Sequence, residues 1–324
     1  MSEQKQTSKQ LMKNFKKNFS FASQDNVIVH DFNDTEFKNE MFKLLTRRGS
    51  INPETVNQLL DEDGIKHLKV AFTHESFLYS YKNNELINSE ERDYELYETM
   101  GDVTLNKCVV WYLVRRFPQL KKNTNGNQVI TELKKNLVSK KIFSEQFRRL
   151  NLNNFIRYKE WTYTEKSSTK KIMMDMSMME DVFEAMMGAI EDLIDGRIMV
   201  NTGYSVVYNI VSSILDEIKD ISLDLEDIID SKTKIQEIIH KKSTDGWSLR
   251  YDEGNKDEQG FWVVKLTLMF KNGTPNNSKP AEITFEGIPA RQKIISQTNA
   301  AQTAIDYLKK EFGIVWARPS SVLK

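Results

Sequence analysis

The chain has 324 residues, 39% of them hydrophobic, and carries 46 Lys+Arg against 46 Asp+Glu. That is enough apolar material for about two ordinary domains, which excludes disorder throughout, while the neutral balance leaves any contact with phosphate to local patches. A single cysteine, Cys108, excludes an intramolecular disulfide framework and fits a reducing, intracellular compartment, and no apolar run approaches the ~18 residues that span a bilayer.

The opening stretch, "MSEQKQTSKQLMKNFKKNFSF", sets Lys5, Lys9, Lys13, Lys16 and Lys17 against Glu3, with Leu11, Phe15 and Phe19 recurring every fourth residue. Residues 1–36 read as a basic, flexible arm. The absence of arginine from its first 21 residues weighs against organelle targeting. From Phe37 the pattern turns helical. "FKNEMFKLLTRRG" and "NPETVNQLLDEDG" each read as a helix with a glycine stop, at Gly49 and Gly64. "YELYETMGDVTLNKCVVWYLVRRFP" is a long helix ended by Pro118. "QVITELKKNLVSKKIFSEQFRRLNL" has helical spacing, with Leu133, Leu137, Ile142 and Phe147 on its apolar side. A polar stretch, "YKEWTYTEKSSTKK", leads to "MSMMEDVFEAMMGAIEDLID" and a last helix near Val206 to Ile218, so that residues 37–222 read as an all-α domain.

The texture changes after Leu223. "SLDLEDIIDS" reads as a linker and "SKTKIQEIIHKKS" as a short helix. "WSLRYDE" and "FWVVKLTLMF" read as a hairpin, "AEITFEGIP" as a third strand and "NAAQTAIDYLKKEFG" as a closing helix. Residues 223–314 are thus a compact α+β module in the order α-β-β-β-α, with 315–324 as a tail.

Two pairs of acids stand out against this frame. Glu98 and Asp102 are four residues apart, and Asp181 and Glu184 three apart, so each pair shares one face of its helix. Both are set among apolar neighbours, such as Met100, Val103, Val182 and Phe183. A buried, unpaired carboxylate costs several kcal/mol or takes up a proton. Two arrangements relieve that cost: ion pairs with Lys or Arg on neighbouring helices, or a shared divalent cation. Oxygen-only ligands favour Mg²⁺ or Mn²⁺ over zinc.

"YELYETMGDVTLN" resembles the signature string of the ribonuclease III family, with Glu98, Gly101, Asp102 and Leu105 on its fixed positions. "AFTHESF" is similar to that family's Thr-His-x-Ser-Tyr segment, here Thr73, His74, Ser76 and Phe77. "EDVFEAMMGAIEDLID" matches its second acidic string at Asp181, Phe183, Glu184, Ala185, Gly188 and Ala189. The resemblance covers roughly residues 40 to 220. It implies a helical endonuclease domain in which Glu98, Asp102, Asp181 and Glu184 are catalytic ligands of Mg²⁺, with Mn²⁺ able to substitute. It also implies a double-stranded RNA substrate, products with 5′-phosphate and 3′-hydroxyl ends, and a homodimer whose seam includes Tyr97 and Met100. A non-catalytic scaffold of the same fold, or a protein that sequesters small duplex RNAs, are the alternatives. Retention of all four acids weighs against the scaffold.

The C-terminal module resembles a double-stranded RNA-binding domain. Thr233, Gln236 and Glu237 match the helix that such domains lay in the minor groove. Ala300, Ala301 and Ala304 match the small residues where the last helix meets the sheet. The family's Gly-Pro-x-His loop falls on Gly254, Asn255, Lys256 and Asp257, and its paired lysines on Lys293 and Ile294. The RNA contacts implied are therefore Thr233, Gln236, Glu237, Lys256 and Lys293. The missing histidine and second lysine imply weak binding by the module alone. His74 is expected to anchor a loop, and Cys108 to lie in the core.

Overall fold

The computed structural model describes residues 28–80, 85–86, 91–165, 168–218, 221–271 and 281–316. The basic arm up to residue 27 lies outside the described residues, as do most of the polar loop 81–90 and the tail from 317. The chain divides into two compact units: the described residues up to Phe117 with those of 134–220, and Pro118–Leu133 with the described residues from Ile221 onward.

The first unit begins with β1 (Ile28–His30), α1 (Asp34–Arg47) and α2 (Pro53–Leu59), followed by α3 (Glu62–Ala71) and the single turn α4 (Glu75–Leu78). Asn33, Asn52 and Asp61 cap the first three helices, each accepting from a backbone N–H. Gly64, expected as a helix stop, lies instead inside the first turn of α3, where its N–H donates to the Asp61 carboxylate at 2.8 Å. A cap residue so close behind α2 restarts the helix. The short pair β2 (Tyr79–Ser80) and β3 (Glu85–Leu86) follows, then α5 (Glu95–Arg116), α6 (Gly126–Leu137), whose residues up to Leu133 are grouped with the second unit, and α7 (Lys140–Arg149). Between α7 and the next helices, α8 (Met176–Arg197) and α9 (Thr202–Leu215), stand β4 (Tyr158–Glu165) and β5 (Ser168–Ile172). They pair antiparallel, with β1 on the other side of β4, giving the order β1-β4-β5. The unit is mostly helical, but this polar stretch is a hairpin rather than a connector. Its Tyr, Trp and Thr content favours strand, and its polarity concealed the fact from a search for apolar runs.

The Thr-His-x-Ser segment ties this hairpin down. Thr73 Oγ1 donates to Lys69 O at 2.7 Å and accepts from Arg157 Nη1 at 3.1 Å, His74 N donates to Arg157 O at 2.9 Å, and Ser76 Oγ accepts from Lys159 N at 3.0 Å. His74 Nδ1 accepts from Ser76 N at 3.0 Å, and burial pushes its pKa down to about 4, so it is a neutral anchor.

The second unit carries the single turn α10 (Leu225–Ile228) and α11 (Ser231–Lys241), then β6 (Trp247–Tyr251), β7 (Asn255–Lys256), β8 (Trp262–Val263), β9 (Lys265–Phe270), β10 (Glu282–Glu286) and α12 (Lys293–Phe312). The main sheet is antiparallel in the order β10-β9-β6, and β7 and β8 form a small separate hairpin. Ile235, Ile238 and Ile239 of α11 join Trp247, Leu266, Leu268 and Phe270 of the sheet and Ala300, Ala301 and Ala304 of α12 in one core. The expected α-β-β-β-α order holds. The stretch expected as a linker is instead a capped turn that buries Leu225, Ile228 and Ile229. No described helix is long and apolar enough to cross a membrane.

Candidate active site

Helix α8 is apolar nearly all round, and accordingly its Met178, Met179, Val182, Phe183, Met186, Met187 and Ile190 are buried. Helix α5 packs against it more extensively than any other element does. Their backbones touch where the glycines sit: a Cβ on Gly101 would fall 1.8 Å from Glu184 O, and one on Gly188 would fall 2.3 Å from Tyr97 O. The crossing therefore requires glycine on both helices, and it brings the two acid pairs to one place. Gly101→Ala is expected to lower stability by roughly 3 kcal/mol, read as a fall in the urea midpoint, because helix backbone cannot yield as a side-chain tip can. An unchanged midpoint would disprove the close crossing.

The field at this crossing is negative. Glu184 is buried, at 8% exposure. Burial, then the charges of Asp102, Glu180, Glu98 and Asp181, push its pKa up to about 8. Glu98 is raised by burial and then by Asp181. Asp181 is raised chiefly by burial, against the opposing pull of Lys140. Asp102 is exposed and accepts from Asn106 Nδ2 at 2.8 Å. Among the described residues none of the four forms an ion pair with a lysine or arginine; Lys140 pairs instead with Glu180, at 3.0 Å. Sequence reasoning overlooked two neighbours. Tyr94, one turn before Glu98, donates its hydroxyl to Asp181 Oδ2 at 3.4 Å, and Glu180 takes up the nearest cation.

Among the described residues no group of three or more His, Cys, Asp or Glu is arranged to hold a metal ion as it stands. The donor set nevertheless suits a hard divalent cation. It is all oxygen, its members repel one another, and the buried Glu184 has no cationic partner among the described residues. Cys108 is buried on α5 and burial pushes its thiol up to about 12, which makes it a core residue and a poor nucleophile.

In the second unit, Thr233 is engaged by Asp230, which caps α11: its N–H and Oγ1 both donate to that carboxylate, at 3.0 and 2.7 Å. Gln236 is exposed, and Glu237 accepts from Trp316 Nε1 at 2.9 Å. Asp257, at the position where the resemblance led to a histidine, accepts from Gln259 N and Phe261 N and so shapes the turn. Lys256 and Lys293, 37 positions apart, converge on Trp262, their Nζ atoms 5.3 and 5.6 Å from its ring centre. Gly254, at φ 70°, lets the loop pass within 3.6 Å of Lys293 Cε, measured from an added Cβ. Loop and helix thus supply one lysine each.

The family model "Ribonuclease III domain" matches residues 95–191, the span that holds both acid pairs. A protein of Invertebrate iridescent virus 6 that carries the provisional name ribonuclease 3 is 33% identical over 242 residues, covering 71% of this chain and 77% of that protein. Ribonuclease 3 of Aliarcobacter butzleri is 28% identical over 244 residues, covering 74% of this chain and 90% of its own. Among solved structures, the nuclease domain of ribonuclease III from Campylobacter jejuni aligns with 55% of this chain and 98% of its own, at 21% identity and a TM-score of 0.35. The matched span, the extent of the viral relative and the mostly helical first unit make this chain a member of the ribonuclease III family, an endoribonuclease of that type.

Proposed function

We propose that the chain cleaves double-stranded RNA with the help of Mg²⁺, for which Mn²⁺ can substitute, leaving 5′-phosphate and 3′-hydroxyl ends, and that Glu98, Asp102, Asp181 and Glu184 are the catalytic ligands. The observation that carries this reading is the grouping of those acids around the Gly101–Gly188 crossing, with Glu184 buried and, among the described residues, none of the four paired with a lysine or arginine. A bound divalent cation would supply positive charge beside the scissile phosphate and acidify water there. The chain's own part is to hold four oxygen donors on two rigid helices, with Tyr94 steadying Asp181 and Glu180 keeping Lys140 occupied. The test is cleavage of a duplex RNA in Mg²⁺ against EDTA. Equal activity in the two would refute the reading.

The functional division in this reading is an endonuclease domain over 37–222 and an RNA-binding domain over 223–314, acting inside the cell. The acting form is a homodimer. Its support is an exposed apolar stripe on α5: Leu96, Met100, Val103 and Trp111 are 69, 37, 66 and 44% exposed and fall on one helix face. Tyr97 finds its partners within its own unit, its hydroxyl donating to Asp192 Oδ2 at 3.2 Å, so Met100 rather than Tyr97 belongs to the seam. Light scattering at micromolar concentration is expected to give the mass of two chains. The mass of one chain would rule the homodimer out.

Lys256 and Lys293, gathered on Trp262, are the proposed phosphate contacts of the second unit, with Thr233, Gln236 and Glu237 facing the minor groove. Lys293→Ala is expected to weaken duplex binding and to reduce the slope of log K against log salt by about one. The acids of the same loop, Asp252, Glu253, Asp257 and Glu258, keep the unit's contribution modest. An unchanged slope would remove Lys293 from the contact.

A further inference from the structure

Helix α3 lays a histidine against the crossing of α5 and α8. A carbonyl can only accept, so the contact of His67 Nε2 with Ala189 O at 3.2 Å puts the ring proton on that nitrogen. Burial, against the opposing pull of Asp192, lowers the pKa of His67, so the ring is neutral at pH 7 and above. The same N–H is shared with Tyr97 Oη at 3.2 Å, and the Tyr97 hydroxyl donates its own proton to Asp192 Oδ2, also at 3.2 Å. The two rings meet with their centres 5.2 Å apart. A hydroxyl on α5 thus joins α3 to α8. Thr104, one turn past Gly101 as Tyr97 is one turn before it, donates to Glu191, the neighbour of Asp192. Two hydroxyls of α5 therefore grip adjacent acids of α8, about one turn beyond Gly188.

We infer that Tyr97 is a positioning residue for the acid grouping: held between His67 and Asp192, its hydroxyl keeps α5 and α8 in the placement at which Glu98, Asp102, Asp181 and Glu184 share a divalent cation. This rests on the reading that those four acids are the metal ligands. Tyr97 directly precedes Glu98, and Asp192 lies about two turns beyond Glu184 on the same helix. Without a cation the four carboxylates repel one another, which drives α5 and α8 apart. The Gly101–Gly188 contact sets how closely the helices approach, but dispersion between bare backbones gives no directional grip against sliding. A hydrogen bond has a preferred length and angle and supplies that grip. Ligands already held in place lose less freedom when the cation arrives, so the Tyr97 bond raises affinity for the metal.

The experiment is calorimetric titration of the full chain with Mg²⁺ alone, beside cleavage of a duplex RNA across the same range of Mg²⁺. Tyr97→Phe deletes the hydroxyl and keeps the ring, and Asp192→Ala removes the acceptor at an exposed position. Each is expected to weaken Mg²⁺ binding roughly 3–10-fold, with cleavage at saturating Mg²⁺ within about twofold of the parent, and the two together no more than either alone. Asp192→Asn, which loses the charge but keeps an acceptor oxygen, should stay near the parent. Ile210→Val, in the buried face of α9, lowers stability alone and should leave Mg²⁺ affinity unchanged. Additive losses in the double variant, or an equal loss in Ile210→Val, would reduce Tyr97 to a packing residue and overturn the inference. A loss in Asp192→Asn as large as in Asp192→Ala would trace the effect to charge and overturn it as well. If the parent itself takes up no Mg²⁺, the metal-site reading fails first and this inference falls with it. If the parent binds Mg²⁺ and Tyr97→Phe binds it equally well, the inference alone is lost.

Discussion

Cleavage of duplex RNA by Glu184→Gln or Asp102→Asn should fall roughly 10³-fold or more in Mg²⁺, while binding of uncut duplex in EDTA stays within a factor of about two of the parent. The size of the loss follows from the grouping: Glu184 lies within the field of Asp102, Glu98 and Asp181, so the four act as one anionic unit and losing one member disables the rest. Retention of binding follows because the acids repel phosphate and contribute nothing to affinity without a cation. Two variants are needed because their surroundings differ. Asp102 is exposed and tethered by Asn106, whereas Glu184 is buried at the helix crossing. Near-parental Mg²⁺-dependent cleavage by both would remove these residues from the site and with them the proposed mechanism.

The second large effect is on stability and pH. Burial and the neighbouring acids raise Glu184 from its ordinary 4.5 to about 8 in the folded chain. Below about pH 4.5 it is protonated both folded and unfolded and contributes no pH dependence. Between about 4.5 and 8 the unfolded chain releases the proton and the folded one keeps it, so stability falls as pH rises; above 8 the full penalty of the buried charge is present. Glu98 and Asp181 are raised as well, and act in the same direction. In EDTA the parent should therefore lose Tm from pH 5 to pH 8.5. Glu184→Gln should flatten that loss and exceed the parent by roughly 1–3 kcal/mol at the upper end. Added Mg²⁺ should recover the parent at pH 8.5 and leave Glu184→Gln nearly unmoved. Calorimetric melts across that range decide the matter, and a parent whose Tm rises with pH in EDTA would refute the buried-charge account.

The contrast between the two C-terminal lysines and the four acids shows where reading a linear chain succeeds. The acid pairs were legible because helical spacing alone places 98 with 102 and 181 with 184; apolar neighbours announced the burial of Glu184, whereas Asp102, in a similar setting, is exposed. The α-β-β-β-α order of the second unit was legible because its strands and helices carry opposite periodicities, confirmed by the burial of Ile235, Ile238, Leu266, Leu268 and Ala301. The β4–β5 hairpin was not, since its Lys-, Glu-, Ser- and Thr-rich sequence lacks the apolar alternation that separates a strand from a loop. Gly64 misled because a glycine two residues into a helix looks the same on paper as one just past its end; only the Asp61 cap distinguishes them.

By itself, then, the chain determined the helical frame, the two acid pairs, the core faces and the family signature, all of which depend on spacing within one element. The tertiary structure alone decided what depends on meetings between distant segments. Gly101 and Gly188 let two helix backbones touch, which gathers the acids into one field. Lys256 and Lys293 find a common ring in Trp262, and Tyr97 meets Asp192 beside His67. Periodicity fixes which way a side chain points from its own helix or strand, but which partner it meets is set by packing, and packing is a property of the whole unit.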